Sequence, residues 1–246
     1  MNAQQLKNSI LQLAVQGKLV PQDPNDEPAS ALIERIRAEK EKLIKEKKIK
    51  PDKNPSYIFR GSDNLPYEKV GKNEPVCIAD EVPFDIPDSW EWVRLKNLSC
   101  YIFSGKSPKY SKIPTEHKII GQQANQDYGI DFNYVKYATN DFVVDMPEVY
   151  YLKDYDVLLN TLGNGTLGRS GIFKIPVGEK ILTDGHLFVF RNINPIISEY
   201  LFAFLKLKRQ EIEKSANGTT NQTFLNLTKT IEWLIPLPPL SEQQRI

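Results

Sequence analysis

Cysteine, histidine and methionine are scarce, with two of each in 246 residues. Cys77 and Cys100 form no Cys-x-x-Cys pair. Two thiols in a chain this long fit a reducing compartment and ordinary packing better than a disulfide framework. His117 and His186 show no zinc-ligand spacing. His186 follows Thr183-Asp184-Gly185, yet no Gly-x-Ser-x-Gly elbow accompanies it, so a turn or core role is expected. Also missing are the Asn/Asp-Pro-Pro-Tyr/Phe tetrapeptide of amino-methyltransferases, a glycine-rich cofactor loop after a strand, and a nuclease Pro-Asp…Asp/Glu-x-Lys set. The expectation is a chain with no catalytic site, no metal and no cofactor of its own. Nothing approaches 18 continuous apolar residues, and Met1-Asn2-Ala3-Gln4-Gln5 opens without a basic segment and apolar run. Neither membrane span nor signal peptide is expected, which points to a cytoplasmic protein.

Charge of one sign is also lacking, since the net charge is +1. Residues 1–60 carry 12 Lys and Arg against 8 Asp and Glu, while residues 61–246 carry 20 against 23. A nucleic-acid reader would have to gather its basic residues in space or take phosphate contacts from partners. With 40% hydrophobic residues, the chain suffices for one medium domain plus an appendage or two small domains.

What is present suggests an α+β protein, with a mixed or antiparallel sheet, an N-terminal helical segment and the start of a long C-terminal helix. Residues 3–16 read as an amphipathic helix with Leu6, Ile10 and Leu13 at i, i+4, i+7 and Gly17 as its stop. After a proline-rich break, residues 29–48 read as a second helix with a stripe of Leu32, Ile33, Ile36, Leu43 and Ile44. Six prolines make residues 51–89 an irregular but ordered connector, because Tyr57, Phe59, Tyr67 and Phe84 are too many aromatics for a disordered linker. Strands are expected over residues 90–95, 134–137, 149–152, 156–160, 171–175 and 187–191, a helix over 197–214, and an extended arm over 231–239. Ser241 looks like the N-cap of a new helix. The expected domains are residues 1–50 (helical), 51–89 (connector), 90–240 (the main strand-bearing domain) and 241–246 (start of a new helix).

Three segments carry a resemblance. They are Ile235-Pro236-Leu237-Pro238-Pro239-Leu240-Ser241-Glu242-Gln243-Gln244-Arg245-Ile246; Gly17-Lys18-Leu19-Val20-Pro21 with Asp26-Glu27-Pro28-Ala29-Ser30; and a Trp90-Glu91-Trp92 strand leading to Ser104-Gly105-Lys106-Ser107-Pro108. Together they resemble type I restriction-modification specificity (S) subunits. The resemblance implies sequence-specific recognition of double-stranded DNA by a non-catalytic target-recognition domain. It implies methyltransferase (M) and restriction (R) subunits as partners, with S-adenosylmethionine, ATP and Mg on those partners only. Because a complete S subunit has two such domains, it also implies a truncated form or a half-subunit able to self-associate. An adaptor of a multisubunit assembly, without base readout, stays open.

Three loops are candidate DNA contacts. Residues 160–169 combine three glycines with Asn160, Asn164 and Arg169; glycine permits close backbone approach, Asn suits adenine and Arg guanine. Residues 216–223 offer Asn217, Thr219, Thr220, Asn221 and Gln222, short polar side chains fit for phosphate and base contacts. Residues 106–112 offer Lys106, Lys109 and Lys112 around Tyr110, fit for phosphates. A surface β-turn, a helix C-cap at Gly218 and a solvated charged loop are the corresponding plain readings.

Overall fold

The computed structural model describes residues 2–163, 165–174, 179–216 and 224–246. The chain divides into two compact units, residues 1–100 with 228–246 (unit 1) and residues 101–227 (unit 2). The division falls within the segment expected as one recognition domain.

Unit 1 opens with α1 (Ala3–Val15), closed by Gly17 at φ +68°. A Cβ there would also lie 2.5 Å from the Pro87 ring, so glycine meets both the backbone and the packing demand. The helix is as expected, but its burial is not. Ala14 and Val15 are buried, whereas Leu6, Ile10 and Leu13 are exposed, so among the described side chains the fully buried ones of α1 lie in its last turn. In α2 (Ala29–Lys45), Ala29, Leu32 and Ile36 face the core. The Ala29 N–H, an orphan at the helix start, donates to the Ser89 carbonyl.

The expected irregular connector is instead an antiparallel meander of β1 (Ser56–Arg60), β2 (Pro66–Val70) and β3 (Val76–Cys77). Its prolines stand at strand edges, where no ladder N–H is required, so they punctuate the sheet without breaking it. Phe59 and Tyr67 pair across the strands and their rings stack at 6.0 Å. β4 (Glu91–Arg94) and α3 (Leu95–Leu98) complete this stretch.

Unit 2 begins with β5 (Tyr101–Ser104), followed by β6 (Lys118–Ile120), β7 (Asn125–Gln126), β8 (Gly129–Ile130), β9 (Lys136–Tyr137) and α4 (Asn140–Val143). Then come β10 (Val157–Asn160), β11 (Ser170–Ile172), β12 (Ile181–Thr183), β13 (Leu187–Arg191) and α5 (Pro195–Ala216). One antiparallel sheet has the order β11-β10-β13-β5; a mixed sheet runs β12-β6-β9, with β12 parallel to β6; β7 and β8 form a separate ribbon. The pleat of β6 sends Ile120 to a core with Phe103, Leu158, Phe173 and Val189, and Ile119 to a second cluster with Ala138 and Leu182. The mixed sheet is therefore apolar on both faces. The strand expected at residues 149–152 is a 3₁₀ turn, Glu148–Tyr150, and most of residues 134–137 follows another, Phe132–Tyr134. Pro147 and the Asp131 side chain, which accepts from the Asn133 N–H, direct those two turns.

The chain returns to unit 1 through α6 (Leu227–Thr230), β14 (Leu234–Leu237) and α7 (Leu240–Arg245). β14 pairs antiparallel with β4. Ser241 is no N-cap: Pro239 holds that position, and the Ser241 hydroxyl donates to Asp26 Oδ1 at 2.6 Å. Trp90 and Glu242, both fully buried, join through Nε1–H to Oε2 at 2.8 Å, and Gln22 donates to the other carboxylate oxygen at 2.6 Å. Buried Arg94 reaches Glu68 (2.6 Å), Glu81 (2.9 Å) and the Glu232 carbonyl (2.9 Å). Burial raises the Glu68 carboxyl, but neighbouring hydrogen bonds and positive charge, the Arg94 guanidinium first among them, reverse this and leave it below its ordinary value.

Arg94→Met strands Glu68 as a buried charge, and breaking a buried pair by removing one partner costs about 3–5 kcal/mol. Because the folded-state pKa of Glu68 is depressed, the pair's contribution is present above the unfolded carboxylate value and is lost as pH falls through the folded one. Urea titrations of both proteins should show a large deficit at pH 7 that shrinks towards pH 3; a deficit independent of pH would contradict this assignment.

Candidate functional site

A tight turn at residues 183–186 ties the loops of unit 2 together. It is itself fixed by the Asp184 N–H, which donates to the Ile120 carbonyl at 3.0 Å, and by the Asp184 Oδ1, which accepts from the His186 N–H at 2.9 Å. The Asp184–His186 contact thus runs from side chain to backbone, a turn geometry. The Lys106 N–H donates to the Thr183 carbonyl (3.3 Å), and the Ser104 hydroxyl to the Gly185 carbonyl (3.3 Å). From the other side, Thr161 gives both its N–H and its hydroxyl to the His186 carbonyl, each at 3.0 Å. A Cβ on Gly105 would lie 2.0 Å from the Asp184 carbonyl oxygen, so only glycine admits this approach.

The lysine loop that leaves this turn carries exposed Lys106, Lys109 and Lys112. Lys106 Nζ stands 4.3 Å from the Tyr150 ring centre, and Lys109 Nζ is 3.8 Å from Asp141. Within it, Tyr110 directs its hydroxyl toward Asp184 Oδ2 at 3.4 Å; desolvation of the phenol first, then the Asp184 charge, pushes it up to about 12. Asp184 is buried, and desolvation raises its carboxyl above the ordinary range.

The glycine loop takes left-handed backbone at Gly163, Gly165 and Gly168. Asn160 is fully buried, accepting from Asn125 Nδ2 at 2.9 Å and donating to the Gln122 carbonyl at 3.2 Å. This corrects its expected role: a side chain with no exposure and both groups engaged supports the loop from below and does not reach a base. Arg169 is part-buried, and its guanidinium donates to Gln126 Oε1 (2.9 Å), and more distantly to the Asn125 and Gly165 carbonyls. Arg209 on α5 meets the same Gly165 carbonyl at 3.1 Å while holding Asp127 and Glu213. Two arginines therefore clamp the glycine loop to the β7–β8 ribbon.

Asn164, Asn217, Thr219, Thr220, Asn221 and Gln222 lie outside the described residues. On their C-terminal side, Phe224 bridges to Leu162, and the Leu225 N–H donates to the Thr161 carbonyl at 2.7 Å. The structure thus brings the lysine loop and the glycine loop to one turn, and adds the ribbon, which sequence reading passed over. Its two-residue turn, Asp127-Tyr128, lacks the Asn-Gly or Asp-Gly pair that marks such a hairpin in a sequence. Among the described residues, no group of three or more His, Cys, Asp and Glu is placed to hold a metal ion, and no helix is long and apolar enough to cross a membrane.

Residues 87–246, which take in all of unit 2, match the Type I restriction modification DNA specificity domain family. The chain belongs to this family. Over 251 residues it is 33% identical to the type I restriction enzyme EcoAI specificity subunit of Escherichia coli, covering 98% of this chain and 38% of that protein. Over 115 residues it is 43% identical to the EcoEI specificity subunit of the same species, covering 47% of this chain and 16% of that one. The chain therefore spans well under half the length of these specificity subunits. A chain from a solved structure concerning complex assembly and conformational transition of the type I R-M system aligns with all of this chain and 50% of its own, with TM-score 0.52 and 16% identity. That likeness is one of fold, and it agrees with the α+β architecture of the specificity domain family.

Asp184→Asn keeps the shape and the acceptor for the His186 N–H but removes the buried charge. A raised folded-state pKa means that the wild-type contribution is fully present below the unfolded carboxylate value and is lost as pH rises through the folded one. Denaturant midpoints should therefore favour Asp184→Asn over wild type progressively between pH 4 and pH 7.5; parallel profiles would rule the assignment out.

Proposed function

We propose that this chain supplies DNA sequence recognition to a type I restriction-modification complex, and that unit 2 reads double-stranded DNA through the loops tied to residues 183–186. The observation that carries this reading is the specificity-domain match over residues 87–246, which includes all of those loops. Exposed Lys106, Lys109 and Lys112 contact phosphates, where fixed positive charge displaces counterions. The left-handed glycines bring the backbone of residues 160–169 close to a ligand, and Arg169 fixes that loop's position. In this reading the chain carries no catalytic site. Methyltransferase subunits bring S-adenosylmethionine, and a restriction subunit brings ATP and Mg chemistry, all in the cytoplasm. Residues Asn164, Asn217, Thr219, Thr220, Asn221 and Gln222 remain assigned to the DNA surface on their residue chemistry.

Selection from a randomised duplex library, with and without methyltransferase subunits, tests the reading. A reader enriches a defined sequence and weakens as salt rises, whereas an adaptor enriches none. Replacing Lys106 and Lys109 by Ala should lower affinity for all duplexes alike. It should also flatten the dependence of log K on log salt by about 0.9 per lost phosphate contact, with the enriched sequence unchanged. Arg169→Ala should instead blur base preference by about 1–3 kcal/mol, as the clamped loop loosens; selectivity equal to wild type would refute its placement.

A further inference from the structure

We infer that the β7–β8 ribbon is a base-reading element that enters the major groove, with Tyr128 at its tip as the apolar contact to a base edge. The inference rests on the DNA-reading function proposed above. Its starting point is exposure: Tyr128 is 78% exposed at the turn, and Phe132 and Tyr134 beyond it are exposed as well. Aromatic surface held in water at a hairpin tip loses the burial that ordinarily retains such residues, and it marks a contact surface.

The tip is rigidly supported. Asn125 at the ribbon's base is fully buried, and a Cβ on Gly171 would lie 2.2 Å from its side-chain oxygen. The Asp131 N–H closes the ribbon onto the Ala124 carbonyl at 2.8 Å. Arg169 grips Gln126 on one side, and Arg209 holds Asp127 with both oxygens at 2.9 Å on the other. The Tyr128 hydroxyl donates to Asp131 Oδ2 at 2.9 Å, which fixes the ring. Such preorganisation of an exposed side chain fits recognition, since the ordering cost is met before binding.

Charge selects the ligand edge. Two carboxylates, Asp127 and Asp131, flank the tyrosine, and phosphates repel them, so the tip does not track a DNA backbone. Carboxylates are acceptors only; the amino groups of cytosine and adenine both face the major groove, where the thymine methyl is also open to an aromatic ring, whereas the minor groove offers only the guanine amino group and no methyl. That groove is wide enough for a two-stranded ribbon.

The test uses the full chain in the same duplex selection, comparing wild type, Tyr128→Ala and Tyr128→Phe. Tyr128→Ala should keep the thermal midpoint and the affinity for random duplex at low salt, and should lose preference at one or two adjacent base pairs by about tenfold. Tyr128→Phe retains the ring and should retain the preference. At the affected positions, uracil in place of thymine, which removes the methyl group, should abolish the difference between wild type and Tyr128→Ala, while inosine in place of guanine, which alters the minor groove, should not. If Tyr128→Ala selects the same sequence as wild type, this inference falls and the DNA-reading function stands. If only inosine matters, the groove assignment falls. If wild type enriches no sequence, the DNA-reading function falls, and this inference with it.

Discussion

Unit 2 depends on a handful of backbone carbonyls. At residues 183–186 the chain turns so sharply that the carbonyls of Thr183, Gly185 and His186 become acceptors for Lys106, Ser104 and Thr161. Turn carbonyls are strong acceptors that must find partners when shielded from water. Here the partners come from the two loops whose placement matters. Gly105 is the corresponding concession, since any side chain there would collide with Asp184. A buried carboxylate inside such a turn is an electrostatic burden, raised out of its ordinary range by desolvation. It persists because it also organises the His186 N–H and the Tyr110 hydroxyl.

Charge explains why the overall composition says so little. The specificity domain is close to balanced in charge, yet its arginines are not idle: Arg169, Arg191 and Arg209 are spent on holding backbone and carboxylates in place. The cations of the lysine loop stay exposed, and in the reading proposed above they are the ones that meet a polyanion. Counting residues merges these two uses of positive charge, and only the partners of each side chain separate them.

Much of the fold was legible because periodicity and capping are local. The helices at residues 3–16, 29–48 and 197–214, and the strands around Trp92, Leu158 and Val189, stand close to where their patterns place them. What escaped was decided non-locally. The meander of β1, β2 and β3 was hidden by its prolines, whose meaning depends on whether they stand at a strand's edge or in its middle. Leu6, Ile10 and Leu13 form a good stripe with nothing in unit 1 covering them, which a pattern alone cannot reveal. At the site, the lysine and glycine loops were visible from residue types. The burial of Asn160 was not, because it depends on Asn125, thirty-five residues away. The ribbon escaped because a strand of two residues gives no alternation to detect.

The pairing of β4 with β14 has a kinetic consequence. Unit 1 closes only when Lys96 donates to the Ile231 carbonyl and Arg94 meets Leu234, contacts with the whole of unit 2 between them in the chain. Closing a loop of that length from a disordered chain is entropically slow, and non-local pairing of this kind lowers folding rates. If unit 2 collapses first on its own core, the interval shrinks from a long random coil to a folded body. Folding of the recognition unit would then set the pace at which its frame can shut.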